Sequence, residues 1–457
     1  MSQFVHDPGD ISTLQADFAS GASDPVVLVE NLLRRADEVE PHVQAWLSLD
    51  RDNALRQAHA CREEMRRGVR RGPLHGIPVA VKDVIDIAGQ RTRAGSRSRE
   101  QCNPAIMNAD IVTILRAAGA VILGKTHTTE YAYFDGPPPT RNPWRITHTP
   151  GGSSSGSAAA VAAGMATCSI GTQTAGSVVR PAAYCGIAAF KPSTQDLSMH
   201  GIVPLAPAFD TVGWFGYRLR DAVAVSLGLQ PQRFKKTRLD RALRVAVVSD
   251  RLFSDASDAV IASVEEAKSR LRTAGHDVVV TKSPTELFEC LDWHQTVLEH
   301  ELSRIHGALE TTHSEQVSAA WLAAIIRGKK IEDADYVSSR YQLLQAQAEF
   351  WDAWANVDVL IAPAAPDTAP EGQQTGDPRY IIPFTALGGP IATLPIGLAP
   401  SGLPLGLMLC GKPGSDAALL TDALQLAKAI EMPRFQNAGG LPSRPSDQRM
   451  QANKRDG

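Results

Sequence analysis

Nowhere in the 457-residue chain do apolar residues run for the roughly 18 positions that a membrane-crossing helix needs, so no membrane span is expected. A strong charge of one sign is missing too. The 46 Lys and Arg against 49 Asp and Glu leave a formal charge of −3, which offers no argument for nucleic acid or an anionic membrane as partner. The six cysteines (Cys61, Cys102, Cys168, Cys185, Cys290 and Cys410) form no C-x-x-C pair. They read as reduced, mostly buried thiols rather than a disulfide framework or zinc site. His300-Glu301 opens an H-E-x-x-H pattern, but position 304 is Arg and the next histidine is His306. No phosphate-binding loop and no G-x-G-x-x-G after a strand is present, so no nucleotide or dinucleotide cofactor is expected. The opening MSQFVHDPGD lacks the apolar core of a secretory signal, and a cytoplasmic enzyme is the expectation.

What is present is an ordinary globular composition, 43% apolar and 21% charged. Apolar residues recur at helical spacing over 26–47, and an Ala-, Arg- and Glu-rich helix is expected over 53–67. Val79, Ala80 and Val81 suit a buried strand with Lys82 at its exit. Asp110 is placed to cap a helix that Gly119 closes, and residues 120–125 follow as a strand. Residues 135–150 are Pro-rich and read as loop. Further strands are expected at 244–250, HDVVVT, 357–363, 390–398 and 402–411, with a helix that puts Val260, Val264, Ala267 and Leu271 on one face and closes at Gly275, and helices across 285–356 and over 417–430. Such alternation indicates an α/β sheet with helices on both faces. No repeat or linker divides it, so one domain is expected over 1–434, with the helices of about 26–67 packed on it and a polar, frayed tail at 435–457.

The chain is organised around residues 150–193, PGGSSSGSAAAVAAGMATCSIGTQTAGSVVRPAAYCGIAAFKPS. This stretch has no acidic residue and only two basic ones, Arg180 and Lys191. Two Gly-rich turns, 151–157 and 172–177, bracket a small-residue helix and a short strand. Glycine lets backbone amides approach a ligand closely, and successive turn amides make an anion-binding concavity. A hydroxyl in that concavity is a candidate nucleophile beside its own oxyanion hole.

The pattern G-G-S-S-x-G-S, G-T-x-T-x-G-S-x-x-R-P, C-G-x-x-x-x-K-P, with GIPVAVKDVID upstream, resembles the amidase signature family of Ser–cis-Ser–Lys amide hydrolases. The resemblance spans about residues 25–432 and is similar in motif to malonamidase-like small-amide amidases. It implies a single large domain with a twisted mixed sheet of about eleven strands covered by helices. It also implies Ser177 as nucleophile, Ser153 as the bridging serine after a cis peptide, and Lys82 as base. The amides of Thr174, Ala175, Gly176 and Ser177 would form the oxyanion hole. A lysine in an apolar segment loses its proton readily, which suits that role. Taken singly, a lysine beside Asp83 is ordinarily a surface ion pair and a serine in a Gly-rich loop a turn residue; the three segments together favour catalysis.

Arg180 either braces its loop or pairs its planar fork with a substrate carboxylate, as the matching residue does in malonamidase-like enzymes. Thr172 either positions the relay or satisfies a turn. His127, Tyr131 and Tyr133 are candidates for the pocket wall or the core, with Tyr131 taken as substrate-binding. Gln173 stands where many relatives carry Asp, and Met408 where many carry Gln. The expected partner is a small amide, with a homodimer implied by the resemblance. Ser154 in G-S-S-S-G mimics a nucleophile elbow, but a Pro-rich loop precedes it where a strand is required. Two rival functions remain: an ammonia-generating protein like the A-type subunit of a tRNA-dependent amidotransferase, and a binding scaffold with a dead site. An aryl acylamidase is a third possibility within the same chemistry.

Overall fold

The computed structural model describes residues 4–134, 136–234 and 241–433. The tail expected at 435–457 lies outside them. One mixed sheet of eleven strands runs through the described residues. The strands are β1 (Trp46–Leu49), β2 (Pro78–Lys82), β3 (Val121–Thr126), β4 (Cys168–Gln173), β5 (Ala188–Lys191), β6 (Thr211–Gly216), β7 (Arg244–Ser249), β8 (Asp277–Lys282), β9 (Val359–Pro363), β10 (Ile391–Leu398) and β11 (Pro404–Cys410). Their spatial order is β1-β3-β2-β4-β6-β5-β10-β11-β9-β7-β8.

All five residues of β2 are buried, because helices cover both faces of the sheet. Side chains alternate along a strand. Val79 and Val81 therefore enter one core with Leu115 and Trp214, while Ala80 enters another with Val29, Leu33 and Ala160. The helix Ser155–Ala162 is buried all round, as its run of Ala and Ser requires. A Cβ on Gly156 would stand 2.2 Å from the Ala45 carbonyl oxygen and 2.6 Å from the His127 nitrogen, so only glycine lets these three segments meet.

Two local expectations are corrected. The first long helix, Pro25–Val43, stops short of 47 because Gln44 turns left-handed (φ 52°). The Glu40 carboxylate then accepts the amides of Ala45 and Trp46, releasing the chain into β1, an edge strand antiparallel to β3. Asp110 does not cap its helix; Ala109 holds the cap position and Asp110 sits in the first turn of Asp110–Ala117.

β2 and β4 run parallel, and β6 runs antiparallel to β4. The ends of β2 and β4 and the start of β6 therefore share one edge of the sheet.

Candidate active site

Lys82 ends β2, fully buried. Its Nζ lies 2.7 Å from Ser153 Oγ and 2.8 Å from Thr172 Oγ1, with the Thr172 carbonyl oxygen at 3.4 Å. Asp83 does not pair with it: that carboxylate takes Lys125 Nζ at 2.8 Å. Burial drives the Lys82 pKa well below the ordinary lysine value, against the opposing charge of Asp210. The Gly152–Ser153 peptide is cis. Ser154, the false elbow serine, accepts the Thr172 amide and donates to the Thr172 carbonyl, pinning β4 to the serine turn.

Beyond β4 the chain makes a tight turn over 174–177. The amides of Ala175, Gly176 and Ser177 donate to no described residue, although all three residues are buried. Such a row of unspent N–H groups is what an oxyanion requires. The turn is held from outside. Gln173 Oε1 takes the amides of Val178 and Val179 at 2.8 and 3.0 Å, capping the helix Val179–Cys185, and its Nε2 donates to Thr385 Oγ1 at 2.9 Å. Thr385 in turn donates to the Ala175 carbonyl. Thr174 Oγ1 donates to Asp210 at 2.5 Å, and the Thr174 carbonyl accepts His294 Nε2 at 2.9 Å. Ser177 Oγ bonds no described residue, so the Ser177–Ser153 link of the relay is not made in this structure.

Arg180 is 1% exposed. Its Nη2 donates to the Gly152 carbonyl at 2.8 Å, while Nε and Nη1 have no partner among the described residues. Burial lowers its pKa to about 10, with Tyr184 and Asp377 opposing. The brace is therefore real and occupies only part of the guanidinium.

Among the described residues the remaining candidates make no side-chain hydrogen bond to Lys82, Ser153 or Ser177, although the Thr129 amide donates to the Ser153 carbonyl at 3.3 Å. Tyr131 stacks on Trp321 at 4.9 Å and its hydroxyl meets Ser98 at 2.7 Å. Tyr133 lies edge-on to the same indole and close to Glu299 and Arg327. Met408 is wholly buried in β11. His127 lines a cavity of about 280 Å³ with Asp83, Arg93 and Ser96, and burial lowers its pKa to about 4.

Asp210, His294 and Thr385 were invisible as site residues in the sequence, since each arrives from a segment with no motif. The turn composition around Gln173 was the only signal, and its capping role needed the fold.

Comparison with known proteins follows the same lines. A model of the family described as Amidase matches residues 27–420. The A-type subunit of the glutamyl-tRNA(Gln) amidotransferase of Chloroflexus aurantiacus is 32% identical, covering 90% of this chain and 94% of its own. Among solved structures, the peptide amidase of Stenotrophomonas maltophilia is 30% identical over 93% of this chain and 98% of its own, with a TM-score of 0.79. A crystal structure of an amidase is 29% identical over 92% of this chain and 100% of its own, with a TM-score of 0.83.

Proposed function

The chain belongs to the amidase family, enzymes acting on amide C–N bonds, and from that premise we propose that it hydrolyses a small carboxamide through an acyl-enzyme on Ser177. The observation that carries this reading is the 2.7 Å contact between a buried Lys82 amine and Ser153 Oγ. A neutral amine has two N–H groups and one lone pair. With the N–H groups directed at the two Thr172 oxygens, the lone pair faces the Ser153 hydroxyl.

Ser177 Oγ attacks the carbonyl carbon while its proton passes to Ser153, whose own proton passes to Lys82. The carbonyl oxygen becomes an oxyanion held by the amides of the 174–177 turn. The relay then runs backwards: Lys82 returns its proton through Ser153 to the nitrogen of the departing amine, and the C–N bond breaks. Water repeats the cycle on the acyl-enzyme and frees the acid.

The two unpartnered nitrogens of buried Arg180, Nε and Nη1, support a substrate carrying a carboxylate, since a buried donor left unpaired is costly. A second reading follows from the relatives named as A-type components of a glutamyl-tRNA(Gln) amidotransferase: ammonia released from glutamine and passed to a partner. The test is release of ammonia or amine from malonamate, an aliphatic amide, an anilide and glutamine, with Ser177→Ala as control, alongside light scattering for the proposed homodimer. Turnover of malonamate, lost in Ser177→Ala, is expected. Preference for the anilide discards the carboxylate clamp, and glutaminase activity only with a second protein present favours the partner-dependent reading.

A further inference from the structure

We propose that Asp210 is a positioning residue of this site: it fixes the oxyanion turn through Thr174 and balances the positive charge Lys82 acquires when it takes the nucleophile's proton. The inference rests on Lys82 being the base. Asp210 lies just before β6, opposite the end of β4, because Gln173 pairs with Thr211 in the antiparallel ladder. One of its oxygens accepts Thr174 Oγ1 at 2.5 Å; the other accepts the amides of Leu205 and Ala206 at 2.8 and 3.1 Å. Three donors converge on a group that is 6% exposed. Burial and the Glu301 charge raise its pKa, and these three hydrogen bonds work against that rise in favour of the carboxylate.

Lys82 and Asp210 thus grip the same strand end two residues apart, Lys82 at Thr172 and Asp210 at Thr174. Thr172 lies in β4 and Thr174 opens the turn that follows it, so both groups act at the same end of the strand. Asp210 is the charged group whose field acts on Lys82. The groups facing Asp210 are Lys82 itself and Glu301, which instead takes Tyr336 and the Ala208 amide; His294, on the other side of Thr174, is held neutral by burial, its pKa lowered to about 4. No cation is paired with Asp210 among the described residues. A carboxylate kept so dry has its use when Lys82 becomes charged.

The Asp210 charge raises the Lys82 pKa, so removing it lowers that pKa. Activity needing neutral Lys82 falls as pH drops through its pKa, and in Asp210→Asn this acid limb moves to lower pH. The weaker base also lowers the plateau.

A sulfonyl fluoride tests this without knowledge of the substrate. With phenylmethanesulfonyl fluoride, the Ser177 Oγ–S bond forms as S–F breaks, fluoride leaves and the serine proton enters the relay. The rate is followed by intact mass from pH 5 to 10 (conditions chosen to span about the neutral range) for wild type, Lys82→Ala, Asp210→Asn and Thr174→Val. The expected result is an acid limb moved about one pH unit lower in Asp210→Asn, with a plateau about tenfold down. Thr174→Val, which keeps the carboxylate and loosens the turn, should lose rate with its limb in place. Position on the pH axis does not depend on how much protein folds, so partial misfolding leaves the readout intact. An Asp210→Asn limb that stays in place, with Lys82→Ala inactive, overturns the inference alone. Labelling that survives Lys82→Ala overturns the reading of the base.

Discussion

Lys82 and Lys125 sit on neighbouring strands, both wholly buried, yet one contacts hydroxyls and the other a carboxylate. Lys125 Nζ meets the Asp83 carboxylate at 2.8 Å, the Ile85 carbonyl and Thr92 Oγ1. Lys82 meets two hydroxyls and a carbonyl, and no contacting charge. Burial depresses both pKa values, yet contact with Asp83 holds the proton on Lys125. Lys191 is the intermediate case: its Nζ donates to the Pro192 carbonyl and burial brings its pKa to about 8, but it bonds no hydroxyl that it could deprotonate. Burial alone does not make a base. The proposed role of Lys82 rests on the hydroxyl it also contacts.

The comparison breaks most visibly in activity. Lys82→Met should lower turnover by roughly 10²- to 10⁴-fold, measured as amine release from the best substrate of the panel. Lys125→Met should retain the chemistry in whatever protein folds.

Stability should respond the other way round. Lys125→Met leaves Asp83 buried and unpaired, and denaturant melts should show a loss of about 3–5 kcal/mol. Adding Asp83→Leu should recover much of it, which no merely disrupted strand would do.

Lys82→Met, by contrast, should melt higher than wild type. The folded pKa of Lys82 lies below its unfolded value, so the unfolded chain binds the extra proton between the two. Wild-type stability therefore rises with pH through that window, and the advantage of Lys82→Met should shrink as pH climbs toward the unfolded lysine pKa of about 10.4. A gap constant with pH would mean that Lys82 is charged in the folded protein.

The smallest effect is expected from Thr172→Val, which removes one hydroxyl orienting the amine. A loss of about 1 kcal/mol, or roughly five- to tenfold in kcat, follows from one hydrogen bond. An unchanged KM would show that Thr172 serves the base and not the substrate.

Much of this was legible beforehand, for a physical reason. Ser153 and Ser177 lie in turns rich in glycine and hydroxyls, and Lys82 ends a short apolar run, so composition exposes them. The sheet was legible where strands are short apolar runs. β1 was not, because Trp46-Leu47 continues the helical spacing of the segment before it, and the left-handed Gln44 with the Glu40 carboxylate beyond it ends that helix. Asp210 and His294 were not legible either. An aspartate before a strand and a histidine in a long helix look like many others until the fold brings both to Thr174.

The contacts that define the site span the chain. Lys82 and Ser153 are 71 residues apart, Thr174 and His294 120, and Ala175 and Thr385 210. A site closed by loops of that length cannot form ahead of the sheet that carries it. During synthesis the nucleophile turn leaves the ribosome long before Thr385, its outer brace, exists. The nascent chain therefore carries Lys82, Ser153 and Ser177 before it carries the segment that braces the turn around Ser177.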